Sequence, residues 1–368
     1  MGEANTKVKE KKAGTKPTGE ERTLGTSAAL DDFSPDDLRA FLREMLLYRR
    51  FEEKCEEAYA IGKIGGFCHV HIGQEAVALG CIRPLRDDDY VISAYRDHTQ
   101  ALATGMSARE VMAELYGRKD GCAAGKGGSM HMFSVEKNFW GGHGIVGGQV
   151  PLATGMGWSI RYRGEDRVAV CFMGDAAVNQ GAFHESLNMA AVWKLPVVYI
   201  VENNEYGMGT QYDRVSFEEV HRRALSNGIE GHVVNGQNLL ATYEATRELA
   251  ERARSGQGPQ FLEVRTYRFR GHSFADPVHG VYRTKEEVEE RQEKEDPIVV
   301  LKTQMMDAGQ LDQEAFEEMD REVLEEVEDA MEFADNSPFP TEEDLYTDVY
   351  AETDVHGRLF MDGRTSNG

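Results

Sequence analysis

Two apolar runs in the middle of the chain, "RVAVCFMG" and "LPVVYIVENN", are continuous rather than alternating. A strand with one wet face alternates, so an unbroken run of this length predicts a strand buried on both faces. Between them, "NQGAFHESLNMAAVWK" reads as a helix. Downstream, "NLLATYEATRELAERARSG" reads as a helix closed by glycine, and "PQFLEVRTYRF" as a further strand. Upstream, Leu38, Phe41, Leu42, Met45 and Leu46 recur at helical spacing in "FSPDDLRAFLREMLLYRRFEEKCEEAYAIG". Ser34 is placed to cap that helix, Pro35 opens it, and Asp36 and Asp37 suit its positive end. "SAREVMAELYG" begins with a capping box, Ser107 and Glu110. "DYVISAYRDH" is a short strand with polar groups at its end. Strand, helix and strand in alternation predict an α/β fold, a parallel sheet with helices on both faces. The expected organisation is a disordered N-terminal arm over 1–33, the α/β domain over 34–300, and an acidic helical extension and tail over 301–368.

Net charge is −23, which makes nucleic acid and anionic membranes poor partners. Acidity concentrates after Lys285, in "EEVEERQEKED" and "EAFEEMDREVLEEVEDAMEFADNS". Solvated helix faces account for part of it, and an acidic, lysine-poor surface also suits a salt-rich cytoplasm. The N-terminal stretch has no apolar core of the kind a secretory signal needs, and no run reaches the roughly 18 apolar residues of a membrane span. The five cysteines are odd in number and scattered, without a C-x-x-C. They indicate neither a disulfide framework nor a zinc site, and a reducing cytoplasm is the expected home.

Three phosphate-binding patterns compete. "AGKGGS" resembles a P-loop fragment, but Gly127 follows Lys126 where serine or threonine is needed, and Asp120 replaces the first glycine. Gly142, Gly144 and Gly147 match G-x-G-x-x-G, yet no clean apolar strand precedes them and no acid ends a second strand about 20 residues on. A nicotinamide-dependent dehydrogenase stays open as the minor reading. The third pattern is the polar ends of the two buried strands. Asp175 and Asn204 lie 29 positions apart with one helix between, which is one βαβ unit. Both then sit at carboxyl ends of parallel strands, where α/β folds hold ligands. A carboxylate and an amide oxygen on one rim are hard ligands for magnesium on a phosphate group. A helix starting after Asp175 would offer backbone N–H groups to the same anion. The bland alternative has Asp175 capping that helix and Asn204 in a turn.

This acid-to-asparagine spacing resembles the thiamine diphosphate motif. "GKGGSMHMF", "GIVGGQVPLATGM", "GDAAVNQGAFHESLNMAAVWKLPVVYIVENNEYGMGT" and "RGHSFADPVHGVYRTKEEVEERQEKEDPI" resemble the alpha subunits of pyruvate dehydrogenase first components, from about Ser34 to Asp335. The resemblance implies a thiamine diphosphate-binding fold and, with a beta subunit in an α2β2 heterotetramer, oxidative decarboxylation of pyruvate. A lipoyl group on a dihydrolipoyl acyltransferase would take the acetyl product. Acetoin or branched-chain 2-oxo acid dehydrogenase alpha subunits are the alternatives. The resemblance places magnesium on Asp175, Asn204 and the backbone carbonyl of Tyr206. It puts Ala176 and Ala177 against the diphosphate, Gly144 and Val146 along the cofactor, and Tyr95 and Arg96 at the phosphates. It makes His69 and His272 active-site histidines, the second contacting the cofactor and the lipoyl group. The family usually has glycine at the position of Ala176, so a methyl could crowd the diphosphate. No glutamate for the aminopyrimidine is evident, and the beta subunit would supply it. Eukaryotic relatives are switched off by phosphorylation at the position of Ser273. Here Gln211 and Val281 stand at the other two regulated positions, and Ser273 is expected to bond within its loop, to Asp276.

Overall fold

The computed structural model describes residues 19–347. Its strands are β1 (Arg22–Thr23), β2 (Tyr90–Ile92), β3 (Ala169–Gly174), β4 (Val197–Asn203), β5 (Tyr206–Gly207), β6 (Thr210–Gln211), β7 (Gly231–Asn235) and β8 (Gln260–Arg265). The six-stranded sheet runs β1-β7-β8-β4-β3-β2, and every neighbouring pair is parallel. β5 and β6 form a separate antiparallel ribbon.

The helices are α1 (Pro35–Ala60), α2 (Glu75–Ile82), α3 (His98–Ala103), α4 (Ala108–Leu115), α5 (Gln149–Arg163), α6 (Gly181–Trp193), α7 (Leu239–Arg252), α8 (Lys285–Glu295), α9 (Pro297–Asp307) and α10 (Gln313–Asn336). The continuous apolar runs are explained by two cores. Val170 and Phe172 of β3, with Val198 and Ile200 of β4, face the core shared with α1, α2 and α7. Ala169, Cys171 and Met173, with Val197, Tyr199 and Val201, face the core of α5 and α6. Both faces of the central strands are therefore dry.

Local signals act as expected at most ends. Ser34 Oγ accepts the Asp37 N–H at 3.1 Å, and the Asp37 carboxylate returns to the Ser34 N–H. Ser107 and Glu110 make the same reciprocal pair on α4. α6 stops where Lys194 turns left-handed, with φ 50°.

Two expectations need correction. Residues 1–18 of the expected disordered arm lie outside the described residues, but its remainder is ordered: β1 pairs with β7, and Glu21 pairs with Arg265 at 2.9 Å. The boundary at 300 falls inside α9, so domain and extension are joined by an unbroken helix. Asp296 caps that helix and binds Arg49 of α1 at 2.9 Å. Solvated faces account for only part of the acidic extension. α10 buries Val323, Val327, Ala330 and Ala334 in the larger core, and its acids meet Arg43, Arg50 and Arg109. Residues 348–368 of the expected tail lie outside the described residues. No helix among the described residues is long and apolar enough to cross a membrane.

Candidate active site

β3 and β4 are paired in register, Gly174 opposite Glu202, so Asp175 and Asn204 leave the sheet along the same edge. Where β2, β3, β4 and β8 end, one cavity of about 300 Å³ opens. His69, Tyr95, Arg96, Gly144, Val146, Asp175, Ala176, Ala177, Asn204, Tyr206 and His272 all line it. The segments that carry them are as far apart in sequence as positions 69 and 272, and the sheet edge gathers them.

Asp175 is only 2% exposed, and its Oδ2 has no hydrogen-bond partner among the described residues. Burial pushes the carboxyl up to about 6, against the pull of its own backbone N–H, Arg268 and the Asn204 N–H. The helix read from Asn179 begins at Gly181, and Asp175–Asn179 is a 3-10 turn that separates it from the strand. Asp175 is thus not the cap of α6. Asn204 is buried as well. Its Nδ2 donates to Gln74 Oε1 at 3.1 Å, which fixes the amide, and its Oδ1 accepts the Tyr206 N–H at 3.3 Å. A second lone pair on that oxygen remains for a ligand.

Two guanidinium groups border the same space without a carboxylate partner among the described residues. Arg96 donates to the carbonyls of Val70 at 2.6 Å and His272 at 2.8 Å. Burial, then the charge of Arg268, brings its pKa down to about 10. Arg268 is fully buried and donates to the carbonyls of Arg270 and Met208 and to the Tyr282 hydroxyl. Burial lowers its pKa too. Buried cations are normally paired, so two bonded only to neutral oxygens mark a place for an anion. Sequence reasoning missed Arg268. The signal was the rule already applied to Asp175 and Asn204: it follows the carboxyl end of β8.

The His69 and His272 rings stand 5.1 Å apart, and Tyr95 lies 4.7 Å from His69. Burial, with the charge of Arg96, drives His69 down to about 2 and His272 to about 4, so both are neutral at pH 7. The Nδ1 of each has no partner among the described residues.

The glycines of "GHGIVG" have separate reasons. A Cβ on Gly142 would strike the Asp97 carboxylate, Gly147 has φ 79°, and Gly144 lines the cavity. The pattern follows no strand of the main sheet directly, which removes the dinucleotide reading. The Ala176 methyl lies beside Gly207, where an added Cβ would come within 2.6 Å of it, so the β5 turn makes room for the alanine. Ser273 bonds to Asp276 Oδ2 through both its N–H, 2.9 Å, and its hydroxyl, 3.1 Å, as expected.

The family described as "Dehydrogenase E1 component" matches residues 43–343. The chain belongs to this family. It is 50% identical over 344 residues to the pyruvate dehydrogenase E1 component subunit alpha of Rhizobium meliloti, covering 93% of this chain and 97% of the relative. It is 46% identical over 309 residues to the protein of that name from Rickettsia bellii, covering 84% and 94%. The human somatic, mitochondrial form is 45% identical over 318 residues, covering 86% and 80%. The matched E1 region contains every residue of the cavity wall and ends within the segment after α10.

Proposed function

We propose that this chain is the diphosphate-holding half of a pyruvate dehydrogenase first component: its alpha subunit, acting in thiamine diphosphate-dependent oxidative decarboxylation of pyruvate. The observation that carries the reading is one cavity in which, among the described residues, a buried acid has an unsatisfied oxygen and two buried arginines are ion-paired with no acid. A magnesium diphosphate supplies what each lacks. Asp175, the Asn204 amide oxygen and the Tyr206 carbonyl would hold the metal. Arg96, Arg268 and Tyr95, with the backbone of Ala176 and Ala177, would receive the phosphates, and Gly144 and Val146 would line the rest of the cofactor. When bound, the thiazolium ring supplies the nucleophile and electron sink for loss of carbon dioxide.

The remaining chemistry is the chain's own. His69 and His272 rest as neutral rings, each with Nδ1 free to take or share a proton. An anion placed beside Arg96 offsets the cation that depresses both histidines, and so raises their proton affinity. We assign His69 Nδ1 to the substrate side and His272 Nδ1 to proton delivery to the lipoyl group.

A beta subunit would complete the pyrimidine half in an α2β2 assembly in a prokaryotic cytoplasm, and a lipoyl-bearing acyltransferase would accept the acetyl group. Exposed Leu152, Trp158 and Tyr162 on α5, with Val192 and Trp193 on α6, support burial against another subunit. The test is co-assembly with the beta subunit and assay with pyruvate, 2-oxoisovalerate and acetoin. Turnover is expected to be highest with pyruvate and absent from the lone alpha chain. Preference for either of the other substrates overturns the substrate assignment, and turnover by the lone chain overturns the half-site reading.

A further inference from the structure

The glycine-rich segment "GCAAGKGGSM" has the look of a phosphate loop, and the structure shows its anion to be internal. Glu114, near the end of α4, is fully buried. Its Oε2 accepts the backbone N–H groups of Ala123 at 2.8 Å and Gly125 at 2.9 Å. Its Oε1 accepts those of Gly127 at 2.7 Å and Gly128 at 3.0 Å. Ala124, Gly125 and Gly128 have φ values of 55°, 73° and 62°. Left-handed residues set among right-handed ones turn successive N–H groups toward one point, which is how a backbone nest for an anion is made. A Cβ on Gly121 would overlap Glu114, and one on Gly127 would overlap the carbonyl of His131. The loop is wrapped around the carboxylate.

This loop leads directly to the cavity. Ser129 follows the last donor. Its Oγ accepts the His69 N–H at 3.3 Å and bonds His98 Nε2 at 2.8 Å. His98 is in turn held by the buried Glu52, at 2.8 Å. Met130 lines the cavity itself. The segment after α10 holds the loop and its approach: the Lys119 N–H, just before the loop, donates to the Pro338 carbonyl, and Lys126 reaches Thr347.

We propose that Glu114 is a positioning residue of this site, an internal carboxylate that folds loop 121–130 so that Ser129 and Met130 reach the cavity and His69 is held in place. The inference rests on the catalytic reading given above for its kinetic consequence, but not for its effect on the loop. Four N–H groups converging on one buried acid have nothing to converge on once that acid is gone.

The test uses Glu114→Ala and Glu114→Gln alpha chains, each assembled with the beta subunit. Two quantities are read: kcat and KM for pyruvate, and tryptic cleavage after Lys126 in the cofactor-free complex. Glu114→Ala leaves an empty nest, and formate is small enough to fill it. The expected result is a fall in kcat on the order of tenfold to a hundredfold, as for other displaced active-site supports, and faster cleavage. Formate should reverse both in a saturable way, and gluconate at equal ionic strength should reverse neither. Glu114→Gln points an amide NH2 at N–H donors. It should also lose turnover and protection, and formate should not restore them because the space is filled. If the alanine variant does not assemble, the glutamine variant decides.

Wild-type turnover and cleavage in Glu114→Gln overturn the proposal, as does an alanine variant on which formate has no effect. Formate-dependent protection in a complex that prefers another substrate leaves the Glu114 role standing while the pyruvate reading fails.

Discussion

Asp175→Asn is expected to lower the affinity of the alpha–beta complex for thiamine diphosphate by on the order of a hundredfold or more, as breaking a buried charge pair does. The same change is expected to stabilise the cofactor-free chain. The carboxylate is buried with an unpartnered oxygen, and burial lifts its pKa from 3.8 to about 6. Between those values the folded chain keeps a proton that the unfolded chain has released. The folded state therefore loses stability as pH rises from about 4 to 6 and does not regain it above. By linkage the deficit at pH 7 is at most about 3 kcal/mol. Asparagine carries no charge, so its advantage should be widest above pH 6 and vanish below about pH 4. Thermal melts of the cofactor-free chain at pH 4, 6 and 8, with cofactor titration of the complex, check both halves. A variant that binds cofactor normally removes Asp175 from the metal role. One that is less stable than the parent at pH 8 removes the orphaned-charge account.

Arg268→Lys is the second large effect. The change keeps a positive charge but loses the planar fork. Arg268 also ties together three oxygens, those of Arg270, Met208 and Tyr282, and so braces the segment that carries His272. A lysine cannot serve all three and an incoming phosphate. Affinity for the diphosphate is expected to fall roughly ten- to a hundredfold, the scale of one or two charge-assisted hydrogen bonds. Much less loss is expected for unphosphorylated thiamine, which does not meet the arginine. Isothermal titration of the assembled complex with both ligands measures the difference. Equal losses for the two would mean that Arg268 only holds the loop.

What could be seen in the sequence, and what could not, divides by the range of the forces involved. The central strands were visible because dryness on both faces imposes continuous apolar runs, as over 168–173. Asp175 and Asn204 were visible because a polar group at the end of such a run needs a reason. Arg268 obeys the same logic but hides: arginine is ordinarily an exposed residue, and nothing local says that this one is buried without an acid. β1 hides for a related reason. Arg22 and Thr23 have no apolar pattern, and their strand exists only because β7 offers an edge. The P-loop pattern fails on Gly127 and Asp120, yet the true reason for the glycine loop stays hidden, because the acid that fills it, Glu114, sits in the preceding helix, where a glutamate looks like surface.

The central claim is that the end of the β3–β4 edge binds a magnesium diphosphate. It is tested most directly by calorimetric titration of the assembled complex with thiamine diphosphate and with thiamine, each with magnesium and with a chelator in its place. The account predicts tight binding only for the diphosphate and only with magnesium. Binding that survives chelation, or that treats the two ligands alike, would contradict it.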